Sequence, residues 1–481
     1  MKRYLHVYLS LTVLCFLVTF TSPAQALTRY VNVSGCGGTP APCYTAVNDA
    51  VDASSGGDII YIYPGVYTND LAILGDMVSP GDITLITVNA SGVPTPGTAT
   101  ITNNTTSPLQ CNGFTGNITV NGLILECTDP TPVEESESGL YLINVTGNIT
   151  LTDVDARSTS WDAMAIYGCT GNVTITRCAA HDSYDDGFSI SGGTIGNLTI
   201  RNSTAENNND DGFSILEGTI NNIIITDCTA SGNDDGFNVD DCLANITMTR
   251  CTAENNNDDG FNFYVEGDVR LTDCLSENND DPQIPDDDED GFDLDVDGNI
   301  TVDGCTAQNN GQEGIDIEFC SGVAEITDST SQGNGGEGID TDELGVSLLI
   351  ENSRSLSNTG EGIEVAGIAA PSGGITISCC DITGNNEGLH LYENATVQAI
   401  NNWWGNTTGP DASDNPGGTG DSIVIDTGTV NYTPWLTTPF SQSPICGADA
   451  SIPTTNTWGL IIMTIILALA AFKFMPRRQG A

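Results

Sequence analysis

Four times in succession this chain repeats an acid, a glycine, an apolar residue and a second acid. The pairs are Asp290 and Asp293, Glu313 and Asp316, Glu337 and Asp340, and Glu361 and Glu364. Asp295, Glu318 and Asp342 fall two residues further on, which in an extended strand is the same face. Three readings of such a surface are open. As hard oxygen ligands in an extracellular setting, the carboxylates suit calcium. As a pair at the separations that stacked strands supply, they suit glycoside hydrolysis. As a solvated acidic face, they keep a secreted protein soluble. Like charges about 5 Å apart cost roughly 1 kcal/mol per pair in water and several-fold more near a protein surface. Bound cations or raised pKa values must offset that repulsion.

The rest of the composition narrows the chemistry. The formal net charge is −52, and no Lys occurs between the two termini. The basic side chains there, His apart, are Arg29, Arg157, Arg177, Arg201, Arg250, Arg270 and Arg354, of which only Arg354 lies near the acidic repeats. Nucleic acid is excluded as a partner, because phosphate binding needs clustered cations. His181, beside Asp185 and Asp186, has the right group for an acid or base, but a lone exposed His is more often inert. Asp280 to Glu289 form an acidic insert that reads as a calcium loop or as a loose bulge.

The elements that must position these residues follow from the repeat. Acid-Gly-apolar returns about every 24 residues, from Asp186-Gly187-Phe188 through Asp211, Asp235, Asp259 and Asp290 to Glu387-Gly388-Leu389. A period of this size marks a solenoid, in which each unit buries its apolar face against its neighbours. Within each unit, Gly-Asn-Ile-Thr segments such as Gly147–Thr150 and the segment after the repeat glycine both alternate apolar and polar residues, as half-buried strands do. Phe188 and Ile190 then point inward and Ser189 outward. Asn and Gly clusters such as Asn207-Asn208-Asn209 read as turns. In the coils from Asp186 to Asp259 the repeat is read mainly as a turn and core signal. Two or three short strands per turn, with no helical period, predict an all-β, right-handed parallel β-helix of about a dozen coils. At ~4.8 Å per strand the rod is about 55–60 Å long.

Val47, Ala50 and Val51 lie at helical spacing, and Gly56 to Tyr67 reads as turn, strand and turn. This resembles the opening of pectin-lyase-like β-helix proteins, which implies a short N-terminal helix capping the coil stack. Asn401-Asn402-Trp403-Trp404-Gly405 and Asn431 to Leu436 resemble the terminal segment of bacterial parallel β-helix repeat proteins. The resemblance spans Leu27 to Leu436. It implies the fold, and it leaves lyase, hydrolase, epimerase and adhesin all open. Polysaccharide lyases of this fold use Lys or Arg as base and calcium to neutralise a uronate, and few such bases exist here. Galacturonan hydrolases of this fold carry a Gly-Asp-Asp-like motif. Its faint likeness at Asn233 to Gly236 recurs in neighbouring repeats, and their Arg-x-Lys motif is absent. Trp403 and Trp404 are read as buried cap residues sooner than as a sugar-stacking platform.

The ends carry addresses. A basic start, an apolar stretch and Ala24-Gln25-Ala26 form a secretory signal peptide over residues 1–26. Ile452-Pro453-Thr454 and Trp458-Gly459 precede an apolar run and the basic pair Arg477 and Arg478. This order resembles the IPTL-type C-terminal sorting signals of Gram-negative bacteria, with Thr455, Asn456 and Thr457 departing from the usual residues. It implies a sorting protease at the membrane as partner, and an exported body attached transiently or permanently through a C-terminal apolar helix. The body is then residues 27–446, with caps at 27–67 and 401–446, and the tail is 447–481.

There are 16 Cys. Cys178, Ser203, Cys228, Cys251, Cys274, Cys305, Ser329, Ser353 and Cys380 form one column, which asks for a small side chain at an inward corner. Cys36 and Cys43 flank the capping loop and are the pair expected to form a disulfide in an oxidising compartment. No pair has zinc spacing. The expectation drawn from the sequence is a secreted, surface-destined β-helix that binds divalent cations, calcium foremost, and an extracellular glycan, without catalysis. The alternative is a lyase, epimerase or hydrolase acting on a uronate polymer laid along the rod.

Overall fold

The computed structural model describes residues 26–77, 81–128, 137–158, 160–280, 289–367 and 373–446. The signal peptide up to Gln25, most of the acidic insert and the whole sorting signal lie outside the described residues. The body is a stack of parallel strands in coils of three. One coil runs through Ile149–Thr152, Asp155–Ser158 and Met164–Tyr167. It then returns as Thr170–Thr176, which lies in register on Ile149–Thr152. The strands thus form three long faces. The second face, built from strands such as Thr204–Glu206, is a sheet of 13 strands. The first and third faces are joined where the strand Phe237–Thr249 turns the corner between them.

Two corners are set by backbone that few residues tolerate. Between the first and second faces stands a column with φ near +50°: Asp153, Arg177, Asn202, Asp227, Arg250, Asp273, Asp328 and Asn352. Asp and Asn adopt this left-handed conformation more readily than other residues with a Cβ. The two arginines depart from that rule. Each makes a paired contact with the acid one coil earlier, Arg177 with Asp153 and Arg250 with Asp227, at 2.7 and 2.8 Å. The residue after each corner turns inward, and there the Cys and Ser column is buried. Those cysteines remain free thiols, with Cys178 pushed up to about 12 by burial. The small-residue reading of the column is the one observed.

The corner between the second and third faces holds what the turn reading did not foresee. Asn208, Asn233, Asn256, Asn279, Asn310, Asn334 and Asn358 are buried and stacked. From Asn233 onward, each side-chain carbonyl accepts both the backbone N–H and the amide of the Asn one coil before. Asn256, for example, donates both to Asn279 Oδ1 at 3.0 Å. A buried polar group left without a partner costs about 1–3 kcal/mol, so the rungs stand or fall together.

The Asn column explains the glycine of the repeat. A Cβ on Gly338 would lie 2.4 Å from Asn358 Nδ2 and 2.7 Å from the Gly362 carbonyl oxygen. The same approach recurs at Gly187, Gly212, Gly236, Gly260, Gly291 and Gly314. Inside the third face, Phe188, Phe213, Phe237, Phe261 and Phe292 stack at 4.7–4.9 Å between ring centroids, and Ile315, Ile339 and Ile363 continue the column. Burying each ring contributes ~1.5–3 kcal/mol. The glycine and the apolar residue of the repeat are thereby accounted for by packing, which leaves the acid.

At the N-terminus, helix α1 (Val47–Asp52) buries Val47, Ala50 and Val51 as the spacing predicts. Asp70 accepts the backbone N–H groups of Val47 at 2.6 Å and Asn48 at 3.3 Å, meeting the helix's exposed donors. Cys36 and Cys43 form a disulfide. A second disulfide, Cys379–Cys446, ties the last described segment to the stack; the sequence reading did not pair these two. Trp404 is fully buried, as a cap residue is. Among the described residues, no helix is long and apolar enough to cross a membrane.

Candidate carboxylate site

The acid of each repeat stands at the entry to a third-face strand, beside a stacked glycine that has no room for a side chain. The first rung is one the repeat motif misses, Asp162, followed by Asp186, Asp211, Asp235, Asp259 and Asp290; all six are buried. Each carboxylate accepts the backbone N–H of an acid one coil on. Asp162 takes Asp186 N–H at 3.3 Å, Asp235 takes Asp259 at 2.9 Å, Asp259 takes Asp290 at 2.6 Å and Asp290 takes Glu313 at 2.7 Å. Such bonds favour the charged form, yet burial opposes them and wins. Burial lifts Asp162 to about 8, Asp186 to about 9 and Asp211 to about 7. Burial, followed by the neighbouring carboxylates, holds Asp235, Asp259 and Asp290 well above the usual range.

The outward residue of the same strand divides this inner column in two. Asn238 donates its amide to Asp211 Oδ2 at 2.9 Å, and Asn262 donates to Asp235 Oδ2 at 3.3 Å. From the next coil onward the outward residue is itself an acid. Asp293 pairs in register with Asp316, and Asp316 with Asp340. Here a carboxylate meets a carboxylate where an amide stood before. Burial first and acidic neighbours second lift Asp316 to about 9, Asp340 to about 7 and Glu364 to about 8. Glu337 is raised by its contact with Glu313, and Glu361 by its contact with Glu337.

The eleven sequence-predicted acids do not form one flat face. Asp290, Glu313, Glu337 and Glu361 continue the inner column, and Asp293, Asp316, Asp340 and Glu364 form the outward row beside it. The register shifts between Asp293 and Asp295 because the partner strand carries one extra residue between Asp316 and Phe319, so Asp295 pairs with Phe319 where the spacing had put it level with Glu318. Asp295, Glu318 and Asp342 line a separate cavity of about 560 Å³ with Tyr264, Phe319 and Glu343. Glu318 borders both places. Its carboxylate lies with those of Asp293 and Asp316 in a cluster whose oxygens are all within 4.8 Å of one another. Glu337, Glu361 and Glu364 form a second such cluster, and Asp186, Asp210 and Asp211 a third. The third was read as turn and core. Its signal was the doubled acid, Asp185-Asp186, Asp210-Asp211, Asp234-Asp235 and Asp258-Asp259.

The basic groups stand elsewhere. Arg157 and Arg354 are on second-face strands, paired with Glu126 at 2.7 Å and Asp381 at 3.8 Å, so nearness in sequence did not bring Arg354 to the acids. Arg201 and Arg270 lie on first-face strands. His181 is on the second face, held between Asp155 at 2.8 Å and Asp182 at 2.9 Å, and these partners raise it to about 9. Among the described residues, the one basic group on the acidic face is His390. It follows Glu364 in the outward row and lies 3.2 Å from Glu387.

A search of curated protein sequences found no match. Among solved structures, a pectate lyase, Pel9A, is 16% identical, with 72% of this chain and 80% of that chain covered at a TM-score of 0.36. The A-module of the Azotobacter vinelandii mannuronan C-5 epimerase AlgE6 is 16% identical, with 82% and 93% covered at 0.32. PfbA, a surface adhesin of Streptococcus pneumoniae, is 12% identical, with 80% and 86% covered at 0.32. Overlays this loose carry no argument about activity. The family model for the right handed beta helix region matches residues 138–285, 199–345 and 283–404, together more than half of the 481 residues. The chain therefore belongs to the right-handed β-helix family.

Proposed function

We propose that this is an exported, surface-destined β-helix whose third face binds divalent cations, calcium foremost, and through them an extended acidic glycan, without chemical conversion. One observation carries the reading. From Asp293 to Glu364 the amide donors of the earlier coils are replaced by carboxylates, stacked in register beside a second carboxylate column. Calcium takes six to eight hard oxygens in flexible geometry, and extracellular sites of ~10⁻⁴–10⁻³ M affinity are common. The clusters Asp293–Asp316–Glu318 and Glu337–Glu361–Glu364 supply such oxygens. A uronate polymer would then bridge to the ions through its own carboxylates. Helix α1 is read as the cap of the stack. The tail is read as a sorting signal met by a membrane protease, which leaves the body outside the cell.

The alternative, a uronate-polymer lyase, epimerase or hydrolase, needs a proton-transferring group beside the acids. Among the described residues, His390 is the one basic side chain positioned to serve. Retention of the protein on pectate and alginate gels, with calcium or with EDTA, separates the readings when absorbance at 235 nm and reducing ends are followed together. Calcium-dependent retention with no new product is expected. Retention unaffected by EDTA would contradict the cation bridge, and a rise in either product signal would establish the enzyme.

A further inference from the structure

Where the outward acidic row ends, His390 stands against Glu361 and Glu387. It is 9% exposed, and neither ring nitrogen makes a hydrogen bond; Glu387 Oε2 is also buried without one. The contacts that exist are longer or misdirected. His390 Nδ1 is 3.6 Å from Glu361 Oε1 and 3.2 Å from Glu387 Oε2. These are separations between ligands sharing one ion: metal–nitrogen and metal–oxygen bonds of about 2.0–2.2 Å at a tetrahedral centre put neighbouring ligand atoms about 3.3 Å apart. The three ligand atoms lie within 4.8 Å of one another.

The scaffold fixes the group. Glu361 and Glu387 are in register on adjacent third-face strands, as are Glu364 and His390. Tyr392 stacks on the imidazole at 3.7 Å between centroids, which sets the ring plane. On the far side, Asp426 Oδ1 lies 3.7 Å from Nε2. A carboxylate there can take the second ring N–H and leave Nδ1 as the donor to a metal, the arrangement that orients metal-bound histidines.

We propose that Glu361, Glu387 and His390 Nδ1 form a site for a first-row divalent metal of the zinc, cobalt or manganese type, oriented by Asp426. Calcium is a poor fit because it takes oxygen ligands, whereas imidazole suits the transition metals. Two carboxylates and a neutral imidazole balance the charge of a divalent ion. The inference does not rest on the calcium reading, since its decisive ligand is a nitrogen.

The test uses the full chain, stripped with EDTA and returned to a buffer free of transition metals and holding excess calcium. Co²⁺ titration followed by its visible d–d absorption, with Zn²⁺ competition, reads the site directly. One Co²⁺ per chain, displaced by Zn²⁺, is expected, with binding at least about 100-fold weaker in His390→Gln. Circular dichroism and melting in EDTA establish that the variant is folded. Glu387→Gln is a second variant expected to weaken binding in the same way. Equal Co²⁺ affinity in wild type and both variants, no saturable Co²⁺ signal, or displacement by calcium alone would each overturn the proposal. Glu361 belongs to both clusters, but an absence of calcium binding in the outward row would leave the His390-dependent Co²⁺ signal unchanged, so the two ideas fail separately.

Discussion

Raising pH in the absence of cations is the perturbation that bears most sharply on the buried acid column. An acid whose folded pKa exceeds its unfolded value binds more protons folded than unfolded between those two values, so stability falls as pH rises through that window. For Asp211, burial moves the carboxyl from 3.8 to about 7. About three pH units at roughly 1.4 kcal/mol each give ~4 kcal/mol lost between about pH 4 and pH 7. The window extends to about 8 for Asp162 and about 9 for Asp186. These neighbours titrate as a set, so Asp211 alone supplies the scale. At ~2 cal/mol/K of unfolding entropy per residue, a body of roughly 400 residues shifts its Tm by about 5 °C for 4 kcal/mol. Melting followed by circular dichroism in EDTA should therefore give a Tm that falls by at least about 5 °C from pH 4 to pH 8.5. Asp211→Asn should melt higher than wild type at pH 8.5, while Glu325→Gln, at an exposed first-face position, should not. A flat wild-type profile, or equal gains in both variants, would refute the argument, because general charge repulsion treats the two sites alike.

Three further outcomes follow from the packing. Asn334→Ala deletes one rung and leaves the Asn310 amide and backbone N–H without their acceptor; a loss of about 1–3 kcal/mol is expected in urea unfolding. Gly338→Ala should cost about as much through crowding against Asn358 and the Gly362 carbonyl, and a fully stable variant would contradict the packing account of the repeat glycine. Cys379→Ser opens a loop with a sequence separation of 67 residues, worth about 4 kcal/mol in the chain-entropy account, and should make the segment near Cys446 the first site of limited proteolysis.

The fold was legible because period and alternation are properties of the chain itself. Acid-Gly-apolar marked the coils, the Cys and Ser column marked an inward corner, and Val47, Ala50 and Val51 marked helix α1. The Asn column was less visible. Asn is common in turns, and its stacking shows only when Asn208, Asn233, Asn256 and Asn279 are aligned as rungs and not read as loops one at a time. The site was legible in part. Spacing found the outward row from Asp293 to Glu364. It could not find the bulge that puts Glu318 out of step with Asp295, because one extra residue shifts register without altering composition. It also could not find the burial of Asp162, Asp186 and Asp211, whose acids look like turn residues until the Asn corner closes over them. Asp426 and Glu361, brought to His390 by coil stacking, are far from each other in sequence and carry no shared motif.

The central claim is that the outward carboxylates hold divalent cations, and the most direct test is an anomalous difference map from crystals soaked in calcium and, separately, in terbium. Peaks about 2.3–2.6 Å from the carboxylate oxygens are predicted at the Asp293–Asp316–Glu318 and Glu337–Glu361–Glu364 clusters. Well-ordered carboxylates at both clusters with no anomalous peak, at millimolar calcium and neutral pH, would contradict it.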